Sequence, residues 1–407
     1  MTGMILPDAP WRHRPGFDNL CRLLGAEEDK VRLVGGAVRD GLLHLDVNDI
    51  DLATSLSPEE VLQRLGKAGI KAVPTGIAHG TITAIIDHRP VEITTLRRDV
   101  STDGRRATVA YTEDWREDAA RRDFTINALY ANPLTGEVQD YFGGLEDLAV
   151  RRVRFIGDAA ARIAEDHLRI LRYFRFLARF GSLPPDVEAY RACIDHANSL
   201  MALSRERIAD EVLKLLALPD PSAVARLMID GDILKPVLPE IDRDGLERLT
   251  QLIAREKDAN IDAPSPLIRL AALLPQDGAT GERVAARLKL SNKARKRIAA
   301  ALAPPPPHGS ARELAFRIGK ESAMDQLLLD SARPLTDLAS LRHWEMPDFP
   351  IGGKDLLAMG VMPGPAVARL LGEIKEDWIA AGFPPREAVQ PLAARRVEIF
   401  LRSIQQA

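Results

Sequence analysis

The chain has 407 residues, which is too long for one ordinary hydrophobic core, so we expect two to four domains. Apolar residues make up 46% and charged residues 28%, which excludes a disordered chain, and the net charge of −3 argues against nonspecific coating of nucleic acid. The sequence has no run of about 18 uncharged apolar residues, no signal peptide pattern and no cysteine pair with metal-ligand spacing. We therefore expect a cytoplasmic enzyme with no membrane partner.

The first 150 residues mix short β-type segments with helical ones. Strands are predicted where β-branched and apolar residues cluster between Gly, Pro or Asp, at 31–34, 50–53, 81–86 and 91–96. Helices are predicted from near Ala37, after the capping residue Ser57, and over 114–131. From about residue 158 onward nearly every segment has helical periodicity, and the prolines at 304–307 indicate a joint. This pattern predicts an α+β N-terminal part followed by an elongated all-helical remainder.

Gly35 and Gly36 follow the first predicted strand and precede a helix. Without Cβ atoms, backbone N–H groups at such a turn can approach a phosphate, and Arg39, expected in the first helical turn, can add a charged contact. The segment is neither a dinucleotide-binding G-x-G-x-x-G nor a Walker loop, which needs G-K-[ST]. A plain strand-to-helix turn is the alternative interpretation.

Asp49 and Asp51 lie two residues apart in a predicted strand, so both carboxylates are expected on one face of it. Like charges held this close raise each other's pKa unless a cation neutralises them, and Mg²⁺ prefers one or two carboxylates plus phosphate oxygens. Glu92 on another predicted strand is the best candidate for a third carboxylate. Solvated acids at a strand edge are the alternative. A phosphate site followed by metal-binding carboxylates is the arrangement that nucleotidyl transfer requires.

Residues 151–180 contain eight arginines and only three acids. On a helix, four of these arginines share one face, and Asp166 lies one turn before the first of them: Arg169, Arg172, Arg175 and Arg179. Cytosine and adenine each present an amino group beside a ring-nitrogen acceptor, whereas uracil and guanine present a carbonyl beside an N–H. An aspartate that accepts and an arginine that donates would select C and A, and Asp166 and Arg169 supply that pair. A solvated basic stripe is the alternative.

Five motifs, in order, resemble those of the class II tRNA nucleotidyltransferases and bacterial poly(A) polymerases, members of the polymerase-β-like superfamily. G-G-A-V-R-D at 35–40, followed by D-I-D-L-A-T at 49–54, is similar to the first motif of this family. R-R-D-F-T-I-N-A at 121–128 resembles the second motif, which binds ribose and phosphates. The remaining three resemble the hinge, the base-selecting motif and the neck motif: D-Y-F-G-G at 140–144, E-D-H-L-R-I-L-R at 165–172 and S-R-E-R-I at 204–208.

The resemblance covers residues 33–216 and is loose beyond them. It implies a polymerase-β-like nucleotidyltransferase head with a small mixed sheet, followed by an all-α neck, body and tail. The expected boundaries are an N-terminal segment at 1–28, head at 29–150, neck at 151–232, body at 233–303 and tail at 304–407. The resemblance also implies nucleotide-binding roles for Arg122, Asp123, Asn127, Arg172 and Arg175. The polar segment 97–113 corresponds to a family loop that helps switch from C to A addition, and an ordinary exposed hairpin is the alternative.

The implied activity is template-independent addition of CCA to the 3′ end of tRNA from CTP and ATP, with Mg²⁺ as cofactor and no DNA partner. A partial enzyme that adds only CC or only A would carry nearly the same motifs. Poly(A) polymerases share the chemistry but usually have a strongly basic C-terminal extension, whereas this chain ends in mixed charge. A nucleotide-binding module without catalysis is a third alternative. The candidate RNA contacts are the densest basic cluster after the neck: Lys289, Lys293, Arg295, Lys296 and Arg297.

Overall fold

A computed structural model of the chain describes residues 3–76, 80–103, 106–304 and 309–405. The chain divides into two compact units, Met1–Pro239 and Glu240–Ala407. The predicted head and neck both fall in the first unit, and the tail with most of the predicted body falls in the second. The predicted joint at 304–307 lies, beyond residue 304, outside the described residues. Within the described ranges, no helix combines the length and apolar composition needed to cross a bilayer.

The first unit contains the β-structure. Its strands are β1 (Val31–Val34), β2 (Asp51–Thr54), β3 (Ala72–Gly76), β4 (Thr81–Ile86), β5 (Arg89–Thr95), β6 (Arg97–Asp103), β7 (Arg106–Tyr111), β8 (Leu129–Ala131) and β9 (Val138–Asp140). Seven strands form one sheet in the order β3-β4-β5-β2-β1-β8-β9, and β6 pairs with β7 in a separate hairpin. Only the β2–β5 pair is parallel among the described strand pairs, so the sheet is mixed, as expected.

Helices surround this sheet and make up the rest of both units. The first unit has α1 (Phe17–Leu23), α2 (Gly36–Leu42), α3 (Pro58–Lys67), α4 (Trp115–Ala120), α5 (Gly144–Ala149), α6 (Ala159–Glu165), α7 (Arg169–Phe180), α8 (Val187–Asp195), α9 (Arg205–Leu216) and α10 (Ser222–Asp230). The second unit has α11 (Arg243–Asp258), α12 (Pro266–Leu273), α13 (Gly278–Arg287), α14 (Asn292–Leu302), α15 (Ala311–Ile318), α16 (Lys320–Leu329), α17 (Leu335–Arg342), α18 (Gly353–Ala358), α19 (Pro365–Ala380) and α20 (Arg386–Gln405). The predicted α+β part followed by an all-helical remainder is confirmed.

The sequence predicts some elements well and one of them wrongly. Strands β1 and β4 have the predicted bounds, and β2 and β5 differ by one or two residues at their ends. The helix predicted over 114–131 is wrong, because α4 ends at Ala120 and β8 pairs with β1 on one side and β9 on the other. A short apolar run is compatible with either a buried helix or a buried strand, and here sheet pairing decides between them.

The polar segment 97–113 forms the β6–β7 hairpin, in which Arg97 pairs with Tyr111. Residues 104–105 lie outside the described residues. The hairpin alternative is therefore confirmed for the backbone, and the predicted role in switching between C and A stays a prediction.

Aromatic packing joins the second motif to α7. Phe124 is fully buried, and its ring centroid lies 5.1 Å from that of Phe155 and 5.0 Å from that of Phe176. Phe176 lies on α7, whose buried face also includes Tyr173, and Tyr173 stacks on Phe155 at 5.6 Å. This cluster fixes α7 against the segment that follows α4. The side chains flanking Phe124 thereby meet the polar face of α7.

Candidate active site

The turn between β1 and α2 requires glycine at its first position. Gly35 has φ 66° and ψ −119°, a region that disfavours residues with a Cβ. A Cβ added there would lie 3.6 Å from Nη1 of Arg122 and from the carbonyl oxygen of Asn127. The turn is thus placed beside the second motif. Phosphate binding by Gly35 and Gly36 stays a prediction.

Arg39 is the fourth residue of the seven-residue helix α2, and its amide donates to the Gly35 carbonyl at 3.0 Å, so it closes the first turn of the helix. Its side chain is 6% exposed, donates from Nε to Asp40 at 2.7 Å and also donates to Oδ1 of Asn127. The guanidinium lies 4.0 Å from the ring centroid of Phe180. Through these contacts Arg39 positions Asn127 against α2. Its contact with phosphate stays a prediction.

The predicted carboxylates meet on the neighbouring parallel strands β2 and β5. Asp51 pairs directly with Glu92 in the strand register, and the amide of Glu92 donates to the carbonyl of Ile50 at 3.1 Å. Paired residues on adjacent strands project to the same face, so these two carboxylates share one face of the sheet. Asp49 precedes β2 by two residues and is exposed, as is Glu92.

The charges around Asp51 act on its carboxyl group. Burial and then the negative charge of Glu92 raise the pKa of Asp51 to about 6, Asp49 adds to the effect, and Arg122 opposes it. Among the described residues, no three acidic, His or Cys side chains are already close enough together to hold a metal ion. The donor set nevertheless fits Mg²⁺, which takes one or two carboxylates and completes its shell with water and phosphate oxygens. A divalent cation would also relieve the repulsion that raises this pKa.

Asp118 on α4 is a site residue that our sequence analysis missed. Its side chain is 1% exposed and accepts hydrogen bonds from Arg121 at 2.8 Å, Arg122 at 3.0 Å and the Tyr130 hydroxyl at 2.6 Å. Burial opposes ionisation of this carboxyl, but Arg122 and Arg121 lower its pKa to about 2. The hydroxyl of Tyr130 in turn accepts from Nε of Arg122 at 3.1 Å. An acid three and four residues before two arginines on a helix was the available signal.

Asp123 connects the second motif to α7. It is 8% exposed, and its oxygens accept from the Phe124 amide and the Asn127 amide group at 2.9 Å each and from Nε of Arg172 at 2.8 Å. Burial acts to raise the pKa of Asp123, but Arg172 beside it and the Asn127 hydrogen bond lower it. Asp123 thus positions the side chains of Asn127 and Arg172. Direct nucleotide contact by these three residues stays a prediction.

The predicted base-selecting pair lies at a break between two helices. α6 ends at Glu165 and α7 begins at Arg169, so Asp166 lies in the turn between the two helices. The prediction that Asp166 lies one helical turn before Arg169 on the same helix is therefore wrong. Arg169 donates to the carbonyl oxygens of Arg162 at 2.8 Å and Arg121 at 3.1 Å, and it pairs with Glu165. Asp166 accepts from Nη2 of Arg207 at 2.7 Å. Each member of the pair is therefore held by its own partners.

The other arginines of α7 pair with acids from three different segments of the chain. Arg172 binds Asp123, Arg175 donates to Glu211 at 2.6 Å, and Arg179 lies 3.5 Å from Asp40. The side chain of Arg175 is only 15% exposed and that of Glu211 only 4%. The alternative of a solvated basic stripe is therefore wrong for Arg175.

The basic cluster of the second unit is less uniform than the sequence indicated. Lys289, Lys293 and Lys296 are exposed. Arg297 instead binds Asp325 through two hydrogen bonds of 2.8 and 2.9 Å and also pairs with Glu321, and its contact with RNA stays a prediction. Arg295 pairs with Glu282 at 3.1 Å. The sequence could not distinguish the exposed lysines from the ion-paired arginines, because the paired acids lie on other helices.

Comparison with known proteins gives the family. A family model described as "Poly A polymerase head domain" matches residues 31–154, and another, "Probable RNA and SrmB- binding site of polymerase A", matches 185–244. The human protein "CCA tRNA nucleotidyltransferase 1, mitochondrial" is 35% identical over 384 residues, which cover 90% of this chain and 87% of the relative. This chain belongs to the CCA tRNA nucleotidyltransferase family.

Other members of the CCA tRNA nucleotidyltransferase family extend the likeness to bacteria and to solved structures. The CCA-adding enzyme of Lactobacillus johnsonii is 32% identical, covering 87% of this chain and 90% of that protein. The Bacillus stearothermophilus CCA-adding enzyme in complex with CTP has a TM-score of 0.74 and 25% identity, covering 96% of this chain and all of the other. The Thermotoga maritima enzyme complexed with tRNA shares the fold, with a TM-score of 0.70 and 21% identity, covering 96% and 98%. These matches confirm the resemblance that the motifs predicted. The family consists of metal-dependent nucleotidyltransferases.

Proposed function

We propose that this protein adds CCA to the 3′ end of tRNA from CTP and ATP, without a nucleic acid template and with release of pyrophosphate. The observation that carries the proposal is the pairing of Asp51 with Glu92 beside the Gly35 turn and Arg122, in a chain of this family. The human relative bears the name of this activity, and one related structure is a complex with CTP and another a complex with tRNA.

We infer that Asp49 and Asp51 hold Mg²⁺ and that Glu92 is the third carboxylate of the site. When bound, Mg²⁺ stabilises the negative charge that develops on the triphosphate and the leaving pyrophosphate. Arg122 has its Nε and Nη2 atoms fixed by Tyr130 and Asp118, which leaves Nη1 beside Gly35 to bind a phosphate oxygen. The cytoplasmic location expected from the sequence stays a prediction.

Base choice is assigned to Asp166 and Arg169, acting on the amino group and ring nitrogen that cytosine and adenine share. Neighbouring residues orient both side chains, because Arg207 holds the Asp166 carboxylate and Glu165 holds the Arg169 guanidinium. Arg172 and Arg175, fixed by Asp123 and Glu211, would complete the nucleotide pocket. Both rejected bases would leave buried polar groups unpaired, at about 1–3 kcal/mol each.

One assay tests this function directly. A tRNA lacking its 3′ CCA is incubated with labelled CTP and ATP, and the length of the product is measured on a gel. Growth that stops after three nucleotides supports CCA addition, whereas growth by only CC or only A identifies a partial enzyme. A long ladder of products identifies poly(A) synthesis, with which the match to a poly(A) polymerase head model is also compatible. CTP binding without pyrophosphate release would identify a non-catalytic module.

Arg169→Ala should relax base choice more than it weakens tRNA binding. Loss of the donor to the ring nitrogen is expected to reduce discrimination against UTP and GTP by about tenfold or more, since a missing hydrogen bond to a charged group is worth about 1.5–3 kcal/mol. Competition between labelled CTP and UTP measures the change. Arg179→Ala, at the exposed end of the same helix, is the matched control and should keep the wild-type preference. Unchanged selectivity in Arg169→Ala would remove the pairing scheme.

The raised pKa of Asp51 predicts a dependence on pH at limiting Mg²⁺. Below about pH 6 the Asp51 carboxyl is increasingly protonated in the folded protein, so a proton competes with the metal ion. The Mg²⁺ concentration that gives half-maximal CTP incorporation should therefore rise about tenfold for each pH unit below this value. A requirement for Mg²⁺ that stays constant down to a pH near the ordinary 3.8 of an aspartate would contradict the prediction.

A further inference from the structure

The face of the sheet that carries the carboxylates continues from β5 onto β4. Thr83 on β4 pairs directly with Glu92 in the antiparallel register, on the side opposite to Asp51. Thr81 pairs with Thr94, which lies two residues after Glu92 on β5. Paired residues share a face, as do residues two apart on one strand, so these three threonines lie on the face of Asp51 and Glu92.

Burial follows the same alternation. The intervening residues of β4 and β5 face the other way and are buried: Ile82, Ala84, Val91 and Ile93. Glu92 is exposed, Thr81 and Thr94 are half-buried, and the hydroxyls of these two threonines lie 3.1 Å apart. Thr83 is 7% exposed, and its hydroxyl lies 2.7 Å from that of Thr75, an exposed residue of β3. We call these four residues, Thr75, Thr81, Thr83 and Thr94, the threonine surface.

The carboxylates lie between two different halves of this face. On the β1 side, Val34 and Tyr130 belong to a buried cluster with Ala119 of α4, and the Tyr130 hydroxyl accepts from Arg122. On the β4 side, the face ends in exposed side chains of β3, of which Thr75 is one. The phosphate contact assigned to Arg122 thus belongs to the covered half, and the threonine surface is the open half.

The geometry of nucleotidyl transfer decides which half receives the RNA. In-line displacement places the attacking and the leaving oxygen on opposite sides of the phosphorus. With the triphosphate beside Gly35 and Arg122, the pyrophosphate leaves on the β1 side, so the attacking 3′-hydroxyl of the RNA has to approach from the β4 side. Neighbouring strands are about 4.8 Å apart. Because the 2′-hydroxyl is on the carbon next to the one that carries the 3′-hydroxyl, a ribose that reaches Glu92 brings its 2′-hydroxyl close to Thr83.

We propose that the threonine surface binds the ribose of the 3′-terminal nucleotide of the RNA, with Thr83 hydrogen-bonded to its 2′-hydroxyl. This inference rests on the proposed function and makes Thr83 a residue that distinguishes an RNA end from a DNA end. A hydroxyl group has one hydrogen to donate and two acceptor sites, so the pair of Thr75 and Thr83 keeps one hydrogen and several acceptor sites for a ligand. Threonine is common in strands because of its β-branched side chain, so the position beside Glu92 supports the proposal and the residue type alone does not.

Thr83→Val tests the contact, because it removes the hydroxyl and keeps the β-branched shape. The substrates are two tRNAs lacking CCA that differ only in the sugar of their last nucleotide, ribose or 2′-deoxyribose. We expect wild type to add the first C to the ribose end with a kcat/KM about fivefold higher, the ratio expected for one hydrogen bond. Thr83→Val should lower kcat/KM about fivefold for the ribose end only, so that the preference disappears. A merely structural role would lower both values by the same factor.

Two control variants separate this contact from folding. Thr83→Ser keeps a hydroxyl and should keep the preference for ribose. Thr95→Val changes a residue of β5 that lies on the opposite face, where the 2% exposed Thr95 donates to the Leu56 carbonyl at 2.9 Å. This variant should lower the thermal unfolding temperature and leave the preference for ribose unchanged.

The outcomes separate this inference from the proposed function. Equal kcat/KM for both ends in wild type, or an undiminished preference in Thr83→Val, overturns the role of Thr83, while three-nucleotide growth by wild type keeps the function. If wild type adds no nucleotide, the function is overturned, and the affinities of wild type and Thr83→Val for the two tRNAs decide the contact without catalysis. A higher wild-type affinity for the ribose end that is lost in Thr83→Val supports the contact, and equal affinities overturn it.

Discussion

Asp51→Asn is expected to reduce CTP incorporation at saturating Mg²⁺ by at least about 10³-fold, since a lost metal ligand removes several kcal/mol of transition-state stabilisation. The substitution keeps the size and shape of the side chain and removes one of the charges that bind the metal ion. Rapid-quench measurement of the first nucleotide added to a tRNA lacking its 3′ end gives the rate. Incorporation within about tenfold of wild type would remove the metal assignment.

The same substitution should leave the metal-free fold intact or stabilise it. Because burial and Glu92 raise the pKa of Asp51 to about 6, from an ordinary 3.8, the folded protein binds this proton more tightly than the unfolded chain does. The stability that this group contributes is therefore present at low pH and is lost as pH rises through about 6. At neutral pH, Asp51→Asn removes an unfavourable charge. Asp18→Asn, at an exposed position in the first turn of α1, is the control; it should keep wild-type activity and lower the free energy of unfolding by at most about 1 kcal/mol.

Asp118→Ala is expected to lower the free energy of unfolding by about 3–5 kcal/mol, because it leaves buried cations without their anion. The side chains of Arg121 and Arg122 are 16% and 20% exposed, so water cannot fully replace the carboxylate. Nucleotide incorporation should fall as well, since Arg122 loses the contact that orients Nη1 toward Gly35. Urea unfolding at neutral pH measures the change in stability.

Tyr130→Phe is the matched control for this network. It keeps the buried ring and removes only the hydroxyl that donates to Asp118 and accepts from Arg122, at an expected cost of about 1 kcal/mol. The lowered pKa of Asp118, about 2, means that its ion pairs contribute above the ordinary pKa of 3.8 and are lost as pH falls through about 2. A change below about 1 kcal/mol in Asp118→Ala at neutral pH would show that the network does not stabilise the fold.

Short-range patterns in the chain were sufficient for several of the elements and for the turn that carries Gly35. The β-branched runs at β1 and β4 predicted both strands with their observed bounds, and the glycine pair predicted a strand-to-helix turn. These features depend on a few neighbouring residues, whose backbone preferences act over one turn or one strand. The five ordered motifs likewise predicted the family, because each motif is contiguous in the sequence.

Contacts between distant segments could not be read from spacing along the chain. Asp51 faces Glu92 because β5 inserts parallel to β2, and spacing along the chain alone does not decide which strands become neighbours. The segment 129–131 became a strand because two partners were available on either side, which outweighed its helical periodicity. Asp166 binds Arg207 and not its sequence neighbour Arg169, because the chain breaks between α6 and α7 and α9 supplies the closer cation. Local preferences are worth tenths of a kcal/mol per residue, whereas burying an apolar side chain is worth about 1.5–3 kcal/mol and breaking a buried ion pair costs about 3–5 kcal/mol, so contacts between distant segments outweigh local preferences.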